Sequence, residues 1–234
     1  ETRFALEIQQ NATRLLSLIN DIIRLSELDS GEDNLLCFEQ VDLDEVAGTC
    51  VKNLQMNAQK RNVTLYYEGV SCMLRADRGM ISELVENLCQ NAIRYNNEGG
   101  EVHVRVYYEK GQPMLSVADN GIGIPKDQQE RIFERFYRVD KARSRAMGGT
   151  GLGLAIAKEI VELHGGRIMA KSDDEQTQFI VLLPSRNKQE EKEEIEIHSH
   201  RRRTFRSSSR GRKGLQRKAG HRNLGDISKD NHDM

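Results

Sequence analysis

The segment that does most to define the fold is Gly148-Gly149-Thr150-Gly151-Leu152-Gly153-Leu154, which runs directly into the apolar residues 155–161. Glycines let the backbone approach a ligand closely and adopt positive φ. The helix that follows would present unpaired N–H groups and the positive end of its dipole. The segment therefore predicts a phosphate site, although a plain turn before a helix can have the same composition.

A second segment, residues 83–95, places polar side chains along one face of a helix. Glu83, Asn87 and Asn91 recur at a spacing of four residues, which aligns them on one face. Amide oxygens are good ligands for Mg²⁺, and Arg94 could meet phosphate oxygens in bidentate fashion. Caps on a neighbouring loop would explain the two asparagines equally well at this point.

A third segment, residues 117–125, ends a strand in an acid and continues into a glycine turn. Asp119 can accept a hydrogen bond from the exocyclic amine of adenine. Gly121 and Gly123 let the backbone pass close to a ring. The pattern Asp-x-Gly-x-Gly is also compatible with a simple turn or an incomplete calcium loop.

Helices and strands alternate along residues 33–184, which predicts an α/β domain with a mixed sheet. We expect a linker over 33–41 and a long irregular region over 119–150, which is typical of a functional loop. Helices are predicted over 42–61, 77–95 and up to His164, with Asp42 and Asp77 as N-caps. Strands are predicted over 63–68, 72–76, 101–108, 114–118, 167–172 and 178–183.

Residues 1–28 predict one long amphipathic helix whose apolar side chains need a partner. We favour a helical bundle, formed between subunits, over a helix that folds back on the main body. No apolar run reaches the roughly 20 residues that span a bilayer. The chain begins at Glu1, and we interpret it as a fragment or a processed product.

Charge is distributed unevenly along the chain. Residues 185–234 carry fourteen basic and eight acidic side chains, against 35 and 36 in all 234 residues, so a basic tail follows an acidic body. The tail lacks periodicity, and we predict that it is disordered. Its basic run, residues 201–222, could attract nucleic acid or anionic lipid, but we expect no specific nucleic acid partner. The four cysteines are predicted to be reduced, buried thiols.

Taken together, these segments resemble the ATP-binding catalytic domain of sensor histidine kinases, which belong to the gyrase, Hsp90, histidine kinase and MutL superfamily. Residues 87–95 resemble its N box, 119–123 its G1 box, 133–138 its F box and 149–154 its G2 box. Residues 11–23 resemble the second helix of the family's dimerisation and phosphotransfer domain. The resemblance implies an α/β (α+β) two-layer sandwich, the Bergerat fold, over residues 33–184, after a partial dimerisation helix (1–32) and before the tail (185–234).

The resemblance also implies ATP and Mg²⁺ as cofactors and assigns roles to individual residues. Asn91 would bind Mg²⁺, and Asn87 and Arg94 would complete the catalytic group near the phosphates. Tyr95 would lie near the adenine, and Asp119 would bind its amine. The remaining nucleotide contacts are expected from Gly121, Gly123, Ile124, Gly149, Thr150, Gly151, Leu152 and Gly153.

A mobile lid is expected over residues 125–150. Phe133 and Phe136 would anchor it. Lys141, Arg143 and Arg145 would reach the γ-phosphate or simply remain solvated. The segment 172–178 departs from the family's glycine-rich hairpin, which we expect to affect a turn and not the site.

The family's phosphoacceptor histidine is absent, because none of the six histidines stands in a His-Glu-x-x-x-Pro pattern. The resemblance therefore implies a kinase that transfers the ATP γ-phosphate to a histidine outside this fragment, for relay to a response regulator receiver domain. It also implies a homodimer through the N-terminal helix and a cytoplasmic location, with the parent protein anchored in the bacterial membrane through other parts. Two alternatives remain, a nucleotide-binding module without turnover and an ATPase of the same fold.

Overall fold

The computed structural model describes residues 2–29, 37–140 and 149–185. The helices are α1 (Thr2–Asp29), α2 (Leu43–Lys60), α3 (Arg78–Arg94) and α4 (Gly153–Leu163). The strands are β1 (Phe38–Asp42), β2 (Thr64–Gly69), β3 (Met73–Asp77), β4 (Glu101–Glu109), β5 (Gln112–Asp119), β6 (Arg167–Ser172) and β7 (Thr177–Leu182). Two short 3₁₀ turns, Lys126–Gln128 and Arg131–Phe133, follow β5.

The main sheet has five strands in the order β2-β4-β5-β7-β6 and is mixed, as predicted. β2 and β4 run parallel, and the other neighbours are antiparallel. Side chains alternate across the sheet, so Val102 and Val104 of β4 are fully buried while His103 and Arg105 between them are exposed. The helices α2, α3 and α4 pack against the sheet and one another, which gives the expected two-layer sandwich.

The predicted linker over residues 33–41 is wrong in its second half. Phe38–Asp42 forms β1, which pairs antiparallel with β3 in a separate two-stranded sheet. Val41 is fully buried there, opposite Leu74. The strand was missed because its pattern is short and contains only two apolar residues, so tertiary pairing and not local propensity creates it. Residues 33–36 lie outside the described part of the chain.

Both predicted N-caps are present. The Asp42 carboxylate accepts a hydrogen bond from the backbone N–H of Asp44, and that of Asp77 accepts one from Met80. Each carboxylate satisfies a backbone donor that the first helical turn leaves free, and it also lies at the positive end of the helix dipole. The caps fix where α2 and α3 begin, and α3 carries the amide side chains singled out above.

His164 has a structural role, as expected from its place at the end of α4. The ring is 2 % exposed, and its Nδ1 lies 2.7 Å from the carbonyl oxygen of Ile160, to which it donates. Its Nε2 accepts the backbone N–H of Asp77 at 3.1 Å. Only the neutral ring can make both bonds. Burial lowers the pKa of His164, so the ring ties α4 to the start of α3 in its neutral form.

The four cysteines agree only in part with the expectation of buried thiols. Cys50, Cys72 and Cys89 are buried and free, as predicted, but Cys37 is exposed just before β1.

In residues 2–29, 37–140 and 149–185, no helix has the length and apolar character needed to cross a bilayer.

Replacement of His164 by glutamine is expected to flatten the pH dependence of stability. Because the folded-state pKa of His164 is lowered, the unfolded chain binds the extra proton first as the pH falls through about 6.5. The stabilisation that the neutral His164 ring contributes is therefore present above this pH and lost below it. Through this residue the unfolding free energy of the wild type should fall as the pH is lowered from about 7.5 to about 5.5.

Urea unfolding at the two pH values measures this loss. The exposed His103→Gln variant, measured at the same two pH values, is the matched control for the loss of a histidine elsewhere on the fold. Equal pH slopes for His164→Gln and the wild type would contradict the prediction.

Candidate functional site

One cavity brings together the three segments singled out in the sequence. Its walls come from α3, from the loop after β5 and from the glycine-rich segment before α4, and the first residues of β7 contribute as well. Eleven of the thirteen predicted site residues line it: Asn87, Asn91, Arg94, Tyr95, Asp119, Gly123, Ile124, Gly149, Thr150, Gly151 and Gly153. The three segments therefore line one shared concavity and are not three separate turns.

Two predicted contacts, Leu152 and Gly121, do not line the cavity. Leu152 was predicted to contact the cofactor, but its side chain is fully buried in the core, because an apolar group beside the helix start packs inward. Gly121 instead makes room for the loop. A Cβ there would lie 2.5 Å from the carbonyl oxygen of Tyr95 and 2.7 Å from a carboxylate oxygen of Asp119. Gly121 thus allows the loop to pass between α3 and Asp119.

Asp119 is a buried acid at the end of the central strand β5. It is 6 % exposed and pairs across the sheet with Val102 of β4 and Thr177 of β7. One carboxylate oxygen accepts the Gly121 N–H at 3.0 Å. No cation forms an ion pair with Asp119 in the described ranges. Burial raises its pKa to about 6, against the weaker effect of the Gly121 hydrogen bond. The carboxylate is therefore a hydrogen-bond acceptor facing the cavity.

Arg94 is the last residue of α3, is half-buried and also lines the cavity. Its guanidinium makes no ion pair or hydrogen bond with the residues that the structure describes. Burial is the main cause that lowers its pKa, and the nearby Arg61 and Arg138 lower it further. A desolvated cation without an anionic partner is costly, and an anion bound in the cavity would relieve that cost.

The glycine-rich segment is held by hydrogen bonds to Phe136 and Arg138. Gly151 adopts a φ of +78°, and its carbonyl oxygen accepts the Phe136 N–H at 3.0 Å. The Arg138 guanidinium donates to the carbonyl oxygen of Gly149. No side chain caps α4, which starts at Gly153, so its first N–H groups remain available to a bound group. This combination suits phosphate oxygens.

The amide face of α3 forms the wall between these features. Asn87 and Asn91 both line the cavity, and neither amide caps a loop within the described residues. A Cβ at Gly153 would lie 3.3 Å from the Asn87 side-chain oxygen, so the start of α4 closely approaches this wall. No group of three or more histidine, cysteine or acidic side chains that could hold a metal ion occurs in the described ranges. Amide oxygens suit Mg²⁺, which takes few protein ligands and keeps water or phosphate oxygens.

The hairpin segment 172–178 contacts the site, contrary to expectation. Ser172 Oγ accepts the Ile124 N–H at 2.9 Å and lies 2.8 Å from Thr177 Oγ1. Thr177 itself lines the cavity. The Gln129 side chain donates to the carbonyl oxygens of Ile124 and Ser172. Only the pairing of β7 with β5 brings these residues to Asp119, and no local pattern reports that pairing.

Helix α1 also reaches the cavity, through Ser17 and Asp21, which were not predicted as site residues. Its last turns fold back on the main body, where Leu25 and Leu28 are each 4 % exposed. Its earlier apolar side chains are exposed: Phe4, Ile8, Leu15, Leu16, Ile19, Ile22 and Ile23. The helix therefore combines a docked end with an uncovered stripe.

The lid expectations are met in part. Phe133 packs on the core, with its ring edge-on to Phe179 at 6.4 Å. Phe136 does not anchor the lid, because its side chain is 58 % exposed and its φ is +62°. Lys141, Arg143 and Arg145 lie outside the described residues.

Comparison with known proteins agrees with this geometry. A family profile described as histidine kinase-, DNA gyrase B-, and HSP90-like ATPase matches residues 76–187. The sensor histidine kinase WalK of Bacillus subtilis is 38 % identical over 200 residues, which are 81 % of this chain and 31 % of WalK. The sensor-like histidine kinase SenX3 of Mycolicibacterium smegmatis is 39 % identical over 167 residues, which are 71 % of this chain and 43 % of SenX3. The chain thus spans less than half the length of these relatives.

A solved structure shares the fold of this chain. The mycobacterial sensor histidine kinase MprB superimposes with a TM-score of 0.56 and 28 % identity, over 64 % of this chain and 99 % of the MprB chain. The fold and the cavity therefore define an ATP-binding domain of the class shared by histidine kinases, DNA gyrase B and HSP90. Within that class, this chain carries the catalytic domain of a sensor histidine kinase.

Proposed function

We propose that this chain binds ATP with Mg²⁺ and transfers the γ-phosphate to a histidine on a neighbouring helix. One observation carries the proposal: a buried carboxylate and a half-buried guanidinium, each without an ionic partner in the described residues, face the same cavity. Asp119 suits the exocyclic amine of adenine, and Arg94 suits phosphate oxygens. The pair therefore fits a ligand with a hydrogen-bond donor at one end and negative charge at the other.

The remaining lining residues support this assignment. Tyr95 and Ile124 would contact the adenine beside Asp119, while the segment Gly149–Gly153 and the start of α4 would hold the phosphates. Asn91 would hold Mg²⁺, with Asn87 near the phosphates. The bound ion would neutralise phosphate charge, so that transfer depends on positioning and on electrostatic stabilisation.

The acids near the amide face favour phosphoryl transfer over hydrolysis. An ATPase would need a base to activate water. Asn87 stands four residues before Asn91 and cannot act as a base. Glu83, one turn earlier, is ion-paired with Arg24 at 2.9 Å. Glu86 does not line the cavity. Burial is the main cause that raises the pKa values of the Cys50 and Cys89 thiols, and the charge of Glu86 raises them further.

The acceptor would come from outside the described residues. His103 is exposed on the outer face of the sheet, where it stacks on Tyr66 at 4.7 Å. His164 is buried between α4 and α3. Neither ring lines the cavity. This observation also keeps the non-catalytic nucleotide-binding module as the second candidate.

Two partners follow from the proposal. A second copy of this chain would cover the exposed stripe of α1, and a response regulator receiver domain would accept the phosphoryl group. The histidine kinase ThkA has been solved in complex with the response regulator protein TrrA, and it shares the fold of this chain with a TM-score of 0.63. We place this part of the protein in the cytoplasm, with any membrane anchor elsewhere in the parent.

The decisive experiment supplies the full chain with γ-labelled ATP, Mg²⁺ and a separate polypeptide that carries a His-Glu-x-x-x-Pro helix. Acid-labile, alkali-stable label on that polypeptide is the expected result. Asn91→Ala should abolish the transfer, whereas Asn57→Ala, on an exposed part of α2, should not. Rapid release of free phosphate without labelled histidine would favour the ATPase, and binding without either reaction would favour the module.

Asp119→Asn is expected to weaken ATP binding by about 10- to 100-fold, because it removes a charge-assisted hydrogen bond worth about 1.5–3 kcal/mol. In the wild type, the acceptor is lost as the pH falls through about 6, where Asp119 protonates. The ratio of wild-type to variant affinity should therefore shrink on acidification. Calorimetric titrations at several pH values measure this ratio, and a ratio that does not change with pH would contradict the assignment.

Ile8→Glu combined with Leu15→Glu is expected to convert a dimer into a monomer. Ile8, Leu15 and Ile22 recur every seven residues, are 65, 60 and 43 % exposed, and suit a helix–helix seam. Sedimentation equilibrium checks the mass. Gln9→Glu adds charge beside the stripe and should leave the dimer intact. A wild-type chain that is monomeric at all tested concentrations would contradict the proposal.

A further inference from the structure

The docked end of α1 borders the cavity on the side of Arg94. Ser17 and Asp21 line the cavity together with Arg94. Leu25 and Leu28 bury their side chains further along the same helix, which packs against α4. Asp21 is therefore held in place by contacts that lie outside the cavity.

Two ion pairs hold this end of α1. Arg24 donates to Glu83 of α3 at 2.9 Å, and both side chains are 29 % exposed. Arg135, in the segment after the second 3₁₀ turn, donates through both terminal nitrogens to the Asp29 carboxylate, at 2.7 and 2.5 Å. Bidentate pairs of this kind fix geometry as well as supplying energy. The two pairs flank Leu25 and Leu28, and we call these four charged residues the α1 clamp.

The position of Asp21 has an electrostatic consequence. Burial is the main cause that lowers the pKa of Arg94, and Tyr95 and, to a smaller extent, the Asp21 carboxylate offset part of this effect by stabilising the charged guanidinium. Arg138 and Asp140 also border the cavity, so their charges add to the local field. Each nucleotide phosphate would bring negative charge to the side of the cavity where Asp21 already lies. Repulsion between like charges is stronger in a partly buried site than in water, because the local dielectric is lower.

We propose that Asp21 sets how strongly this cavity binds phosphate groups, because the docked α1 places its carboxylate in the same cavity as Arg94, where it would repel nucleotide phosphates. This proposal rests on the proposed function and adds a residue that determines specificity for the nucleotide's charge. Asp21 discriminates by phosphate number and leaves the adenine contact unchanged. The α1 clamp controls this competition between docked α1 and bound phosphates, since Asp21 lines the cavity only while α1 is docked.

The competition is reciprocal by thermodynamic linkage. If docked α1 weakens triphosphate binding by some factor, then bound triphosphate weakens the docking of α1 by the same factor. The clamp residues do not line the cavity, so a substitution at Asp29 tests the position of α1 without changing a lining residue.

The test compares adenosine, ADP and ATP binding to the full chain by calorimetry, with and without Mg²⁺. Asp21→Asn should raise ATP affinity about tenfold without Mg²⁺, with a smaller gain for ADP and no gain for adenosine. Mg²⁺ should reduce the gain, because it neutralises the phosphates. Glu7→Gln, an exposed acid on the same helix, removes the same charge and should change none of the affinities.

The α1 clamp provides a second, independent variant. Asp29→Asn should also raise ATP affinity, and the double variant Asp21→Asn/Asp29→Asn should gain little beyond either single change, because both act through the Asp21 carboxylate in the cavity. The proposal is overturned if Asp21→Asn leaves ATP affinity unchanged, lowers it, or changes adenosine and ATP binding equally. If neither the wild type nor any variant binds ATP, the proposed function fails and this proposal fails with it.

Discussion

The site depends on one constraint, namely that α3 is buried along one face and open along the other. Ile81, Leu84 and Leu88 are fully buried between the sheet and the neighbouring helices. The 3.6-residue period then turns Asn87 and Asn91 towards the cavity. Core packing of α3 therefore orients the two amide side chains towards the cavity, and this orientation requires no hydrogen bond to the amides themselves. Any change that rotates α3 in the core would move the whole polar wall.

The opposite wall depends on strand order. β5 is the central strand, and its last residue, Asp119, lies between Val102 and Thr177 on the flanking strands. A carboxylate in that position is desolvated by the sheet, which explains its raised pKa. The same strand order brings Ser172 to the backbone of Ile124, so the hairpin supports the loop that closes over the cavity.

The sequence predicted those features whose causes are local. Each of these features depends on a few neighbouring residues: the caps at Asp42 and Asp77, the spacing of Asn87 and Asn91, and Asp119 just before its glycine turn. Features created by tertiary pairing were missed. Ser172 and Ile124 are 48 residues apart, and Arg135 and Asp29 are 106 apart. β1 was missed for the same reason, since its pairing with β3 gives two apolar residues a core to bury in.

The two faces of α1 link catalysis to assembly. Ser17 and Asp21 line the cavity, while Ile22 belongs to the exposed stripe. Asp29 of the α1 clamp follows Ile22 by seven residues, so a helix bound along the stripe would pass close to the clamp. In the proposed dimer, assembly would therefore act on the same part of α1 that carries Asp21 to the cavity.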